Sequence, residues 1–111
     1  MKKLGFFLIV FVLLGSYCFA QSNNDAQRIV GTWRGIDTDG DNWNLTLNSN
    51  GTYTSNVNNF SVNGNYFISG LKFIQRGQNS NGISMADYYL SSDGRRLVLV
   101  YSNYSVWLDK Q

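Results

Sequence analysis

The chain is 111 residues long and carries 9 Lys and Arg against 7 Asp, with no His, Glu or Pro and a single cysteine, Cys18. Lys2 and Lys3 fall within residues 1–20, so the remainder holds acids and bases in equal number and has no electrostatic case for nucleic acid or an anionic membrane. Lacking imidazole, and with its one thiol so near the start, the sequence excludes a His base, a Cys nucleophile, a His/Cys zinc site and a disulfide from the body of the protein.

The first element is a leader. Met1-Lys2-Lys3 is a positive n-region, Leu4–Leu14 (LGFFLIVFVLL) an apolar run, and Gly15–Ala20 (GSYCFA) places Cys18 at −3 and Ala20 at −1. These are the three parts of a secretory signal peptide over 1–20, with cleavage expected before Gln21. A retained anchor would want roughly 20 apolar residues. A lipid anchor on Cys18 would want a small residue before it, where Tyr17 stands. The expected product is exported, periplasmic or extracellular, with attachment through Cys18 as the alternative. An exported domain this small often relies on disulfides; this one must rest on packing and backbone hydrogen bonds, which a closed sheet supplies without leaving an open edge.

Residues 21–28 read as a polar lead-in, and 29–111 as one domain. Ile29–Asp37 (IVGTWRGID) reads as a first strand. Asn42–Leu47 alternates, with Trp43, Leu45 and Leu47 on one face, the period of a half-buried strand. Asn48–Gly51 is a hairpin turn of residues that tolerate positive φ, and Thr52–Val57 places Tyr53, Ser55 and Val57 together. Val62–Ser69 sets Val62, Gly64, Tyr66 and Ile68 on one face; Gly70 then breaks the chain before Leu71–Arg76. Gly77–Gly82 is the most loop-like stretch and is expected to be the most mobile. Ile83–Leu90, the turn Ser91–Gly94, Arg96–Tyr101 and Ser105–Lys110 complete the chain. About eight short strands joined by short links force sequence neighbours to pair antiparallel. The fold class is all-β, a small antiparallel up-and-down β-barrel rather than a sandwich, which usually needs longer crossovers.

Gly31-Thr32-Trp33, a G-x-W at the start of the first strand, resembles the opening motif of lipocalins and smaller lipocalin-like domains. Leu47–Thr54 (LNSNGTYT), Gly64-Asn65-Tyr66 and Tyr88–Leu99 (YYLSSDGRRLVL) follow in order. Together they are similar to the small secreted bacterial lipocalin-like domains, whose consensus runs from a G-T-W start through an N-G-T-Y hairpin to an S-x-D-G-x-x-L hairpin. The resemblance spans Ile29 to about Lys110 and implies an eight-stranded barrel with Gly31 and Trp33 as its structural motif. Lipocalins proper are longer, end in a helix, and often pair the tryptophan with a late arginine. Here Lys110 lies near the terminus, with Arg95 and Arg96 as other candidates.

Asp37, Asp39 and Asp41 offer three carboxylates at alternate positions, the hard oxygen donors that Ca²⁺ takes. The spacing is not that of an EF-hand, and the competing reading, which is favoured, is a hairpin turn made with Asp and Gly. Catalysis by these aspartates is disfavoured, because carboxylates on an exposed turn stay solvated and ionised. Lys72 and Lys110 are the only lysines beyond the leader and have no serine motif beside them. Four N-x-S/T sequons, at Asn44, Asn50, Asn59 and Asn103, follow from the abundance of Asn, Ser and Thr. Trp33, Leu45, Leu47, Tyr53, Tyr66, Ile68, Phe73, Leu97 and Leu99 are expected to fill the barrel, whose interior is just wide enough for side chains or one small ligand. Trp43, Phe60 and Tyr88 are the candidates to reach a ligand at a mouth.

The expectation is a monomeric, non-enzymatic exported binding module with no cofactor, no nucleic-acid partner and no membrane span after cleavage. Its ligand would be small and hydrophobic or aromatic. The alternative is a protein-interaction or inhibitor module with a filled barrel.

Overall fold

The computed structural model describes residues 24–78 and 82–111. The expected leader and part of the Gly77–Gly82 loop lie outside the described residues. The elements are α1 (Asp25–Arg28), β1 (Gly31–Asp37), β2 (Asn42–Leu47), β3 (Thr52–Val57), β4 (Phe60–Ser69), β5 (Lys72–Gly77), β6 (Ser84–Leu90), β7 (Arg96–Val100) and β8 (Ser105–Lys110). All neighbouring strands pair antiparallel in chain order, and β8 pairs with β1, so the sheet is a closed up-and-down barrel. No helix among the described residues is long and apolar enough to cross a membrane.

The alternation seen in the sequence sets the inward face. In β2, Trp43, Leu45 and Leu47 are buried while Asn42 is exposed; in β7 and β8, Leu97, Leu99, Val106 and Leu108 have no exposed surface. Of the residues expected to fill the barrel, eight are buried and Ile68 is partly buried against them. Ile29, Trp43, Ala86, Tyr88, Val106 and Leu108 join that core as well. Apolar area removed from water stabilises at about 25 cal/mol per Å², so the large buried rings and the leucines supply most of the hydrophobic stabilisation.

Two glycines let the sheet curl. A Cβ on Gly35 would sit 1.7 Å from the carbonyl oxygen of Trp107, and one on Gly64 would sit 2.1 Å from that of Arg76. β4 pairs through its first half with β3 and through its second with β5, and Gly64 belongs to both registers. Missing side chains at such corners let adjacent strands approach as the wall turns. β4 begins at Phe60, two residues before the expected start, because Asn58 and Asn59 adopt φ of 51° and 73° and close a two-residue hairpin.

The start of the first strand is corrected from Ile29 to Gly31. Residues 25–28 form one helical turn, and Ile29, expected in the first strand, is its C-cap. Ile29 is fully buried and α1 plugs the end of the barrel where β1 begins. Three contacts fix it there. Trp33 Nε1–H donates to the Ile29 carbonyl at 2.8 Å, Tyr88 Oη–H donates to Asp25 Oδ2 at 3.0 Å, and Lys110 Nζ donates to the Arg28 carbonyl at 2.8 Å. The same ammonium lies 5.5 Å from the Trp33 ring centre, a cation–π distance. Lys110 is therefore the late cation over the G-x-W tryptophan, while Arg96 pairs with Asp109 on the outer wall. Arg28 reaches across to the β6–β7 turn, donating to the carbonyls of Ser91 and Ser92 at 3.2 and 2.8 Å.

Candidate functional site at the open mouth

α1 closes one end of the barrel, and strand direction puts the β1–β2, β3–β4, β5–β6 and β7–β8 connections at the other. That end opens into a cavity of about 380 Å³ whose lining includes Asp37, Trp43, Tyr53, Ser55, Gln75, Tyr101 and Tyr104. The volume lies within the usual 300–1,000 Å³ of small-molecule sites.

One wall is aromatic. Tyr101 and Tyr104 flank the β7–β8 turn and stack with ring centres 4.9 Å apart and planes 24° apart. Trp43 leans on both, at 6.3 and 6.1 Å. The turn that aligns the tyrosines is closed by the Tyr101 amide donating to the Tyr104 carbonyl at 2.8 Å. Burial pushes the Tyr101 phenol far above the usual tyrosine range, helped by the neighbouring Tyr104 and Tyr53 hydroxyls. Burial also raises Tyr104, and the negative charge of Asp37 and Asp39 raises it further, so those carboxylates act on the mouth.

The rim is acidic. Asp37 ends β1 facing inward; its Oδ1 accepts the Asp39 and Asp41 amides, both at 2.9 Å, and its Oδ2 accepts Trp43 Nε1–H at 2.9 Å. Desolvation would raise its pKa, but these hydrogen bonds to the charged form outweigh it and hold the carboxyl below its ordinary value. Asp41 Oδ1 accepts Asn58 Nδ2–H at 2.7 Å, tying the β1–β2 turn to the β3–β4 turn. The carboxylate oxygens of Asp37, Asp39 and Asp41 lie within 4.8 Å of one another. Three N–H donors already occupy the Asp37 carboxylate, so its evident work is to shape the turn and fix the Trp43 indole. A Ca²⁺ ion, which takes 6–8 oxygen ligands, would have to displace that arrangement.

The floor is polar and incompletely paired. Tyr53, Ser55 and Gln75 are 4%, 7% and 7% exposed. Gln75 Oε1 accepts the Tyr101 hydroxyl proton. Tyr53 Oη, Ser55 Oγ and Gln75 Nε2 have no hydrogen-bond partner among the described residues. Buried polar groups are ordinarily paired; these three, unpaired among the described residues, belong to side chains that line one cavity. The alternation of β3 put Tyr53 and Ser55 inside from the sequence, but Gln75 carried no local signal. It is buried only because it follows Phe73 at period 2.

The structure separates the three residues expected at a mouth. Trp43 is there, 8% exposed. Phe60 starts β4 beside the β3–β4 turn and is 71% exposed, outside the cavity lining. Tyr88 stands at the opposite, plugged end, its hydroxyl committed to Asp25, and burial followed by that hydrogen bond raises its pKa far beyond the usual range. Gly31 and Trp33 also belong to the plugged end. Tyr101 and Tyr104 were not singled out by the sequence, because the β7–β8 turn gave no reason to aim them inward.

Two other surface features stand out. A broader, open depression of about 910 Å³ runs over the outer wall of β1–β3, between Arg34, Ile36 and the amides of Asn42, Asn44, Asn56 and Asn58. Farther round, Ile36, Trp107, Val98 and Tyr89 are register partners across β1, β8, β7 and β6, and Ile36, Trp107 and Tyr89 are about half exposed. Both described lysines are engaged away from the cavity, Lys72 with Asp87 and Lys110 with the Arg28 carbonyl. Among the described residues no side chain is hydrogen-bonded to Ser55 Oγ; the arrangement offers stacking surface, negative charge and hydrogen-bond groups. No family model, curated protein or solved structure matches the chain.

Proposed function

We propose that this domain is an exported, non-enzymatic binding module of the lipocalin-like kind that holds one small molecule in the open mouth of the barrel. The single observation that carries the reading is the set of buried, unpartnered groups, Tyr53 Oη, Ser55 Oγ and Gln75 Nε2, facing a cavity of about 380 Å³. Leaving one buried donor or acceptor unmade costs about 1–3 kcal/mol, a cost a ligand or ordered water offsets on binding. The ligand has a flat or aromatic body to lie along Trp43, Tyr101 and Tyr104 and a polar end for the floor. A purely aliphatic cargo fits poorly, since it would leave those groups unpaired. The sequence resemblance and the leader support export and the lipocalin-like assignment.

A second reading rests on the outer stripe Ile36–Trp107–Val98–Tyr89. Contiguous exposed apolar surface marks protein contact sites, and this stripe supports a protein-interaction role for the same scaffold. Native mass spectrometry of the protein, purified gently from cells that export it, separates the two. A discrete small-molecule adduct, lost on denaturation and lost in a Trp43→Ala, Ser55→Leu double variant, is the expected result. A bare protein that instead co-purifies with a second polypeptide, released by Trp107→Ser, would overturn the small-ligand reading.

A further inference from the structure

We infer that the mouth selects a small organic cation: an ammonium-bearing molecule with an aromatic body and a hydroxyl or carbonyl at its far end. This deepens the small-ligand reading above and depends on it. The charge argument comes from the distribution of ionisable groups between the ends of the barrel. The described residues of the connections at the mouth, 38–41, 58–59, 78, 82–83 and 101–104, contain Asp39 and Asp41 and no Lys or Arg. Asp37 adds a third carboxylate from the end of β1, and no basic side chain lines the cavity.

None of the three carboxylates forms an ion pair; the salt bridges among the described residues are Arg28–Asp25, Lys72–Asp87 and Arg96–Asp109. The hydrogen bonds that keep Asp37 ionised do nothing to neutralise it, because amide and indole N–H groups carry no net charge. Asp39 makes no hydrogen bond through its carboxylate among the described residues and is exposed at the rim. An anion entering would meet uncompensated like charge, and a neutral molecule would gain nothing from it. A cation would meet three carboxylates and, beneath them, rings whose electron-rich faces attract positive charge.

The acidic rim alone would be an ordinary solvated turn. The buried floor gives the mouth a direction as well. Ser55 pairs in register with Leu45, one inward position below Trp43, so the floor lies roughly 7 Å beneath the level of the indole. An ammonium at the rim, a ring along Trp43 and Tyr104, and a hydroxyl or carbonyl reaching Ser55 Oγ and Gln75 Nε2 would satisfy two of the three open floor groups together, while Tyr53, which pairs in register with Leu47 one inward position deeper, lies below that reach. The phenol of such a ligand accepts from Gln75 Nε2 and donates to Ser55 Oγ.

The test is a ¹H–¹⁵N NMR titration of the mature protein with three probes that share a 4-hydroxyphenylethyl body and end in a cationic, neutral or anionic group: 4-(2-aminoethyl)phenol, 4-(2-hydroxyethyl)phenol, and 3-(4-hydroxyphenyl)propionate. The expected result is saturable shifts of the Trp43 indole and the Tyr101–Ser105 amides. The amine should bind at least tenfold more tightly than the alcohol, and the carboxylate should bind weakest. Asp39→Asn, at an exposed position with no partner, should weaken the amine roughly three- to tenfold while leaving the alcohol unchanged, and raising salt should do the same. Equal binding of amine and alcohol at the mouth would overturn the cation inference while leaving a mouth site standing. No shift at the mouth with any probe would overturn the inference too, and the native adduct then decides the small-ligand reading independently.

Discussion

The two ends of this barrel are made of similar residues put to different uses. At the plugged end each polar handle on a buried ring is satisfied from within the chain: Trp33 by the Ile29 carbonyl, Tyr88 by Asp25, and Tyr66 by the Asn48 carbonyl at 2.8 Å. At the mouth, Trp43 and Tyr101 are satisfied, but Tyr53, Ser55 and the Gln75 amide nitrogen have no partner among the described residues. The plugged end holds Arg28 and Lys110 over helix and turn carbonyls; the mouth holds uncompensated aspartates. The difference gathers stabilising contacts at one end and, on the reading proposed above, leaves the other to recognition. A chain with no disulfide in its body has to concentrate its stabilising contacts somewhere, and here they gather where α1 fills the barrel.

The largest effect should come from the centre of the plugged end. Trp33→Ala removes a fully buried ring, its hydrogen bond and the surface under Lys110, and should cost about 3–5 kcal/mol in urea unfolding. Loss of that size is a large fraction of the total stability of a domain of this length. The barrel corners come next. Gly35→Ala would drive a methyl to 1.7 Å from the Trp107 carbonyl oxygen, forcing β1 away from β8. The expected loss is about 1–3 kcal/mol, with Gly64→Ala behaving alike and Gly40→Ala losing less, since nothing lies within 4 Å of a Cβ there and only its φ of 88° resists.

A pH series sharpens the contrast further. Asp37 has a folded pKa below its ordinary 3.8, so it contributes stability that is present above pH 3.8 and is lost as pH falls through the lower folded value. The urea midpoint of the native protein should drop below about pH 4, and Asp37→Asn should be less stable at pH 6 with a flatter acid limb. Tyr88 and Tyr101 have raised values, so their contribution is intact below pH 10 and fades as pH climbs beyond it. The smallest effect is at the rim. Asp39→Asn should change unfolding by less than about 0.5 kcal/mol, because the carboxylate has no partner to lose.

Much of this architecture was legible in the sequence for a simple reason. Strands whose inward residues alternate, such as Asn42–Leu47 and Thr52–Val57, declare their faces locally, and short turns rich in Asn, Asp and Gly declare the antiparallel order. The helical turn at Asp25–Arg28 was not legible, because one turn has no period. It exists through contacts with Tyr88, Lys110 and the β6–β7 turn, all more than 60 residues away in sequence. The same non-locality explains the site. Trp43 could be placed near a mouth, but Tyr88, two residues from the end of a similar strand, faced the opposite end. Which end a ring occupies depends on strand direction and on where the plug sits. Tyr101, Tyr104 and Gln75 come together only through closure of the sheet, and their types carry no motif.

The division between the ends can be tested by removing one hydroxyl from each. Tyr88→Phe strips one of the two side-chain partners of buried Asp25, leaving Arg28, whereas Tyr53→Phe removes a hydroxyl that has none among the described residues. Urea unfolding of the two variants beside the native protein should show Tyr88→Phe less stable by about 1–3 kcal/mol. Tyr53→Phe should be unchanged or more stable, with the ring of Tyr53 still filling its place in the core. Equal losses at the two positions would contradict a mouth left open for recognition, and would mean that both ends are built for stability alone.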